Sequence, residues 1–229
     1  MPLGEPPEPG RLGRLRGQRL AGRVLHRVYL HGRASPWWFS SVGAEPQAAG
    51  RFDLPVPDGT CYLATSPLGA VLEAFQDWGT GVLPAEELRR RRRAQVVAPA
   101  GAPTAAQLTS AAARGAGLTQ AVWAGPDRAL TQRWARALRR AGWRALWTGL
   151  QHDPTGRLRG VSLFDEAGEH PPYDDPGWEW DAHGLADDTA VVAGLGRYGI
   201  EVIEAVDPPL QSLAAAGILP GRGKPSRRH

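Results

Sequence analysis

The stretch Gly59-Thr-Cys-Tyr-Leu-Ala-Thr-Ser-Pro-Leu-Gly-Ala-Val-Leu-Glu-Ala-Phe75 changes its period halfway along. Gly59 to Ala64 is a short apolar run of the length of a buried strand. Ser66-Pro67 then supplies two helix-opening residues. The hydroxyl can accept from a free backbone N–H of the first turn, and the proline has no N–H to leave unpaired there. Leu68, Val71, Leu72 and Phe75 follow at helical spacing and form one apolar face, with Glu73 beside it near the helix middle. A buried strand therefore hands over to an amphipathic helix within a few residues.

Working outward, Arg23 to Leu30 (RVLHRVYL) alternates as a strand does, which puts Arg27 and Tyr29 on one face. The segments SPWWFSS and GAEPQAAGRFDLPVPDG are dense in Gly and Pro and read as loops or short irregular strands. Pro84 opens a further helix running into Arg89 to Arg93, with acids first and arginines last as the macrodipole prefers. Gln95 to Ala98 can be a strand, and Ala105 to Arg114 reads as helical. Asp127 to Ala141 is the clearest helix: Leu130, Trp134, Ala137, Leu138 and Ala141 make one stripe and Gly142 ends it. Ala145-Leu146-Trp147 and Arg159 to Phe164 look like strands around a turn at Asp153-Pro154-Thr155-Gly156. Asp187 to Leu195 reads as a short helix and Ile200 to Val206 as a last strand. Strands and helices interleave without strict repetition, so the expected class is α/β (mixed α+β), not a doubly wound parallel sheet.

The totals narrow the function. The 229 residues, 42% of them hydrophobic and nine of them Trp, suffice for a sizeable core. The 27 basic and 23 acidic residues leave a net charge of +4, a mild excess that a compositional bias explains. A single cysteine, Cys61, excludes an intrachain disulfide and a cysteine zinc site and suits a reducing cytoplasm. No apolar run is long enough to span a membrane, no apolar segment follows the N-terminal arginines as in a secretory signal, and the histidines lack metal-ligand spacing. Arg89 to Arg93 reads as a solvated helix end, so direct nucleic-acid binding is not expected. The expected organisation is a flexible tail over 1–22, a domain over 23–168, a C-terminal extension over 169–220 packing on it, and a flexible basic tail over 221–229. Pro171 to Gly184 reads as a loop outside the core domain.

Gly50-Arg51-Phe52, Tyr62-Leu63-Ala64 and Ala70-Val71-Leu72-Glu73 follow one another in order, with Arg51 to Tyr62 and Tyr62 to Glu73 each eleven positions apart. These pieces, with the helix ending at Gly142 and the strand Val161-Ser162-Leu163-Phe164, resemble the RES domain. The resemblance implies an ADP-ribosyltransferase-like core with a central mixed sheet flanked by helices. It implies an NAD-degrading toxin that cleaves the nicotinamide–ribose bond by phosphorolysis or hydrolysis. It implies a helix-turn-helix antitoxin as partner and a homodimer. NAD is then a substrate and not a cofactor, with inorganic phosphate as co-substrate if the reaction is phosphorolysis, and no metal is implied. Arg51, Tyr62 and Glu73 become the expected catalytic residues, with Arg27, Tyr29, Thr148 and His152 expected to contact NAD.

The chemistry suits these residue types. A guanidinium binds a pyrophosphate bidentately. A carboxylate stabilises the oxocarbenium character that builds on a ribose as its glycosidic bond breaks. A tyrosine can stack on a nicotinamide ring or bond a ribose. One departure is the family's serine: Gly149 falls in its register, with Thr148 the nearest hydroxyl and Ser162 on the next strand. Two other readings share the residues, an ADP-ribosyltransferase acting on a macromolecule and a catalytically decayed NAD-binding or interaction module.

Overall fold

A computed structural model describes residues 2–75, 81–170 and 177–204. In chain order the elements are α1 (Pro9–Leu12), β1 (Gly17–Gln18), β2 (Val24–Leu30), β3 (Trp38–Phe39), β4 (Asp58–Ala64), α2 (Pro67–Ala74) and β5 (Val82–Pro84). There follow α3 (Ala85–Arg89), β6 (Arg91–Val97), β7 (Ala105–Gln107), α4 (Ala111–Gly115), α5 (Ala121–Ala124) and α6 (Arg128–Arg140). The chain continues through β8 (Ala145–Gly149), β9 (Arg159–Glu166), β10 (Gly168–Glu169), β11 (Glu179–Gly184), α7 (Thr189–Gly196) and β12 (Glu201–Ile203).

The main sheet has the order β1-β7-β8-β9-β4-β2-β6-β11. It is mixed: β7 and β8 run parallel, whereas β8–β9, β9–β4, β4–β2 and β2–β6 are antiparallel. Side chains alternate between its faces. On one face Leu25, Tyr29, Cys61, Leu63, Val161, Leu163 and Trp147 form a core with Trp37. On the other, Leu146 and Phe164 pack with Trp134 and Leu138 of α6. Val71, Leu72 and Phe75 of the α2 region pack with Val191 and Leu195 of α7 in a third cluster.

The helix starts follow the capping logic of the sequence. Ser66 accepts from the Gly69 amide at 3.1 Å ahead of Pro67, and Asp127 accepts from the Leu130 amide at 2.9 Å to open α6. Each such cap contributes about 1 kcal/mol. Asp188 does the same for α7, accepting from the Val191 amide at 3.1 Å.

Four local expectations need correction. The segment before residue 23 is not a flexible tail in the described part: Leu12 and Leu20 are fully buried, and β1 pairs with β7. Burying side chains of this size contributes about 1.5–3 kcal/mol each, which holds a segment that has no periodicity of its own. Ala105 to Arg114 is not one helix but a strand, a turn capped by Ser110 and a short helix. The arginine run leaves the helix at Arg89 and continues as β6, where Arg93 is buried. Its guanidinium donates to Asp188 Oδ2 at 2.7 Å and lies 3.0 Å from His26 Nδ1 and from His183 Nε2. A buried charge needs such partners, and they come from three other elements, invisible to a local reading. Finally, Glu179–Gly184, expected within a loop, pairs with β6 along its length as the edge strand β11. Residues 171–176 and 205–229 lie outside the described residues, including the basic tail and most of the extension beyond β12.

Candidate active site in the cavity between the sheet, α2 and α5

A cavity of about 200 Å³ opens on the α2 face of the sheet, where the ends of β4, β8 and β9 meet α2 and α5. Arg51, Tyr62 and Glu73 all line it, from a loop, a strand and a helix respectively.

The loop carrying Arg51 is held by Asp53, a buried carboxylate. Asp53 accepts from the Gly50 amide at 2.8 Å, from Ser40 Oγ at 2.7 Å and from Tyr62 Oη at 2.7 Å. Tyr62 Oη in turn accepts from the Phe52 amide at 2.9 Å. From the other side, Thr131 donates to the Arg51 carbonyl at 2.8 Å and Gln132 to the Gly50 carbonyl at 3.0 Å. Residue 50 must be glycine for this closure, since a Cβ there would come within 2.5 Å of Tyr62 Oη. The Arg51 backbone is therefore tied both to β4 and to α6. Its guanidinium donates to the Gly125 carbonyl and to Gln151 Oε1.

Gln151 also touches the third member of the group. Burial raises the Glu73 carboxyl to about 7, opposed by the positive charge of Arg51 and by the Gln151 backbone amide that hydrogen-bonds it. Such a carboxyl exchanges a proton near neutral pH. Tyr62 differs. Burial, then the negative charge of Asp53 and the hydrogen bond to it, pushes its phenol well above the usual range. It stays neutral and its proton is committed to Asp53. What it offers a ligand is its ring.

The strand ends complete the cavity. Thr148 and Ser162 are buried hydroxyls in its lining. Ser162 sits directly opposite Tyr62 in the β4–β9 register, on the same face. Gly149 lies against Trp123 of α5, so that a Cβ there would come 2.6 Å from the indole Nε1. The space that a side chain at residue 149 would need is thus filled by a tryptophan from another element. Gly160 is similarly confined, with Thr148 Oγ1 and Leu150 each 2.9 Å from its would-be Cβ.

Two expected contacts are placed elsewhere. Tyr29 is buried in the core of the opposite face and is absent from the cavity lining. His152 follows Gln151 but does not line the cavity. Arg27 reaches the lining, yet its guanidinium donates to Cys61 Sγ and to the Trp38 carbonyl at 2.8 Å. Strand alternation puts Arg27 on the face of β2 that carries Tyr29. Asp53, Gln151 and Trp123 were not singled out by the sequence. Their roles come from tertiary contacts, although the closeness of Asp53 to Gly50-Arg51 was a local hint. Among the described residues no group of three His, Cys, Asp or Glu side chains could hold a metal ion, and no helix is long and apolar enough to cross a membrane.

Residues 21–182 match the RES domain. The chain belongs to the RES domain family. The match takes in every element around the cavity, from β2 through β9, and leaves α1, β1, α7 and β12 outside it. Among solved structures, this RES domain is similar to a chain of the M. tuberculosis MbcT-MbcA toxin-antitoxin complex, with a TM-score of 0.54 at 20% identity, covering 77% of this chain and 91% of that one. At that identity the likeness shows a shared fold. A search of the curated proteins gave no match.

Proposed function

We propose that this RES domain is an NAD-consuming toxin that cleaves the bond between nicotinamide and ribose. The observation that carries the reading is the meeting of Arg51 and Glu73 in one recess, with Glu73 held at about 7. A guanidinium for a pyrophosphate and a carboxylate for a developing ribosyl cation are the two charges this reaction asks for.

In this reading the pyrophosphate takes the place of the Gln151 and Gly125 oxygens on Arg51, exchanging neutral acceptors for charged ones. The bond from the anomeric carbon to the nicotinamide nitrogen breaks, and its electron pair stays with the ring, which leaves neutral. Glu73 in its charged form stabilises the cation left on the ribose. The acceptor oxygen, from phosphate or water, then bonds the anomeric carbon, and with water Glu73 takes the released proton. The Tyr62 ring forms a wall of the recess, and its phenol keeps the Arg51 loop closed. Thr148 lies within the lining for a ribose hydroxyl. Arg27 steadies the sheet through Trp38 and Cys61 and does not carry the pyrophosphate.

The structural likeness to a chain of a toxin–antitoxin complex supports a cognate antitoxin as partner, of helix-turn-helix type on the family resemblance. The test is incubation of the purified protein with NAD, with and without phosphate, and with labelled NAD in the presence of protein and nucleic acid. Free nicotinamide is expected, with ADP-ribose 1″-phosphate or ADP-ribose as co-product. Label transferred to macromolecules would instead identify an ADP-ribosyltransferase, and intact NAD would overturn the reading.

A further inference from the structure

The cavity that holds Arg51, Tyr62 and Glu73 measures about 200 Å³, below the ~300–1,000 Å³ typical of sites that enclose a drug-sized ligand. A dinucleotide is larger than that, so on the reading above only one of its nucleoside halves is enclosed there. The other half must lie beyond the mouth.

A second recess, an open groove of about 600 Å³, adjoins the cavity at Trp123, which lines both. The groove is built by the segment from the end of β7 to the start of α5. Its floor is apolar: Leu108 and Leu118 are each 3% exposed and belong to the core beneath α6. Trp123 forms the wall between the two recesses, and its position is fixed by contact with Gly149, whose missing side chain makes the room. The rim is polar, with Thr119, Gln120 and Arg114. Arg114 is exposed and makes no ion pair among the described residues. An apolar floor with an aromatic wall suits a flat heteroaromatic base. A carboxamide that both donates and accepts suits the edge of that base, and an unpaired guanidinium suits a phosphate.

We propose that this groove binds an adenylate group, the half of NAD that the enclosed cavity has no room for, with Trp123 as the divide over which the dinucleotide bridge passes. The proposal rests on the NAD reading for its substrate, but the groove can be tested alone. Adenosine monophosphate has no nicotinamide and probes the groove directly. Nicotinamide mononucleotide has no adenylate and probes the cavity. Ala111→Trp at the exposed start of α4 fills the groove, and Arg114→Glu reverses its free charge. Both positions are on the surface, and a thermal melt checks that the variants fold.

Calorimetry should show adenosine monophosphate binding to the wild-type protein and weakened at least about tenfold in both variants. In turnover assays both variants should lower kcat/KM for NAD by about tenfold or more while changing that for nicotinamide mononucleotide by less than about twofold. Adenosine monophosphate that fails to bind, or binds the variants as well as the wild type, overturns the groove assignment. An equal loss with both substrates also overturns it. A wild-type protein that cleaves neither substrate yet binds adenosine monophosphate in the groove removes the NAD-cleavage reading and leaves the adenylate site standing.

Discussion

Glu73 gives the proposed site a proton equilibrium near neutral pH. Burial raises its carboxyl from 4.5 to about 7, so the folded state binds a proton there more tightly than the unfolded chain does. The sign follows from that. The folded form is favoured at low pH, and this contribution is lost as pH rises through about 7, where the charge must be carried in the recess. A shift of that size corresponds to at most roughly 3–4 kcal/mol. Glu73→Gln should therefore raise the melting temperature at about pH 8 relative to wild type, with the gain vanishing near pH 4, as thermal melts across pH would show. The same variant should lose turnover, because only the carboxylate stabilises a ribosyl cation, and wild-type kcat/KM should climb with pH through about 7 for that reason. A Glu73→Gln protein no more stable than wild type at high pH would mean that the carboxylate is better solvated than its surroundings indicate. Gly50 is the second residue on which the site depends, because a methyl group there meets Tyr62 Oη and Asp53 Oδ1.

At the scale of elements, β4 and α2 were readable from the sequence because their determinants are local: a short apolar run, a hydroxyl cap, a proline and a helical stripe. Helix α6 was readable for the same reason. The arginines of β6 were misleading. Glu86 and Glu87 of α3 do pair with Arg89, Arg90 and Arg91, as a charged helix end suggests. Arg93 instead finds Asp188 from α7, and the pair is about 10% exposed on each side. Removing one partner of a buried pair strands the other charge, at a cost of about 3–5 kcal/mol. Asp188→Ala should therefore destabilise far more than the loss of a helix cap alone, and chemical denaturation compared with Asp127→Ala measures the difference. The neighbouring His26 is held down to about 4, by burial first and then by the Arg93 charge. Its neutral form stabilises the fold above about 6.5, and that contribution is lost as pH falls towards 4. The meeting of Arg51, Tyr62 and Glu73 in one recess was legible from motif and spacing. Gln151, Asp53 and Trp123 were not, since a hydrogen bond across a hundred residues leaves no periodic trace.

For the whole molecule, the fold is wider than the matched family region. The segment before residue 21 buries Leu12, Leu15 and Leu20, and α7 closes the cluster under α2. The helix that carries Glu73 thus rests on a part of the chain outside the RES match. Deleting residues 2–20 should cost several kcal/mol from those three leucines alone, at about 1.5–3 kcal/mol each. It should also expose the β7 edge, giving a protein with a lowered melting temperature and a tendency to aggregate; a truncated chain that melts with the full-length one would contradict this packing. The central claim, that the cavity cleaves NAD, is tested most directly by mass spectrometry of NAD incubated with the purified protein in the presence and absence of phosphate. The expected result is free nicotinamide with its ribosyl co-product from wild type and none from Glu73→Gln, whereas NAD left intact by folded wild-type protein under both conditions would contradict the account.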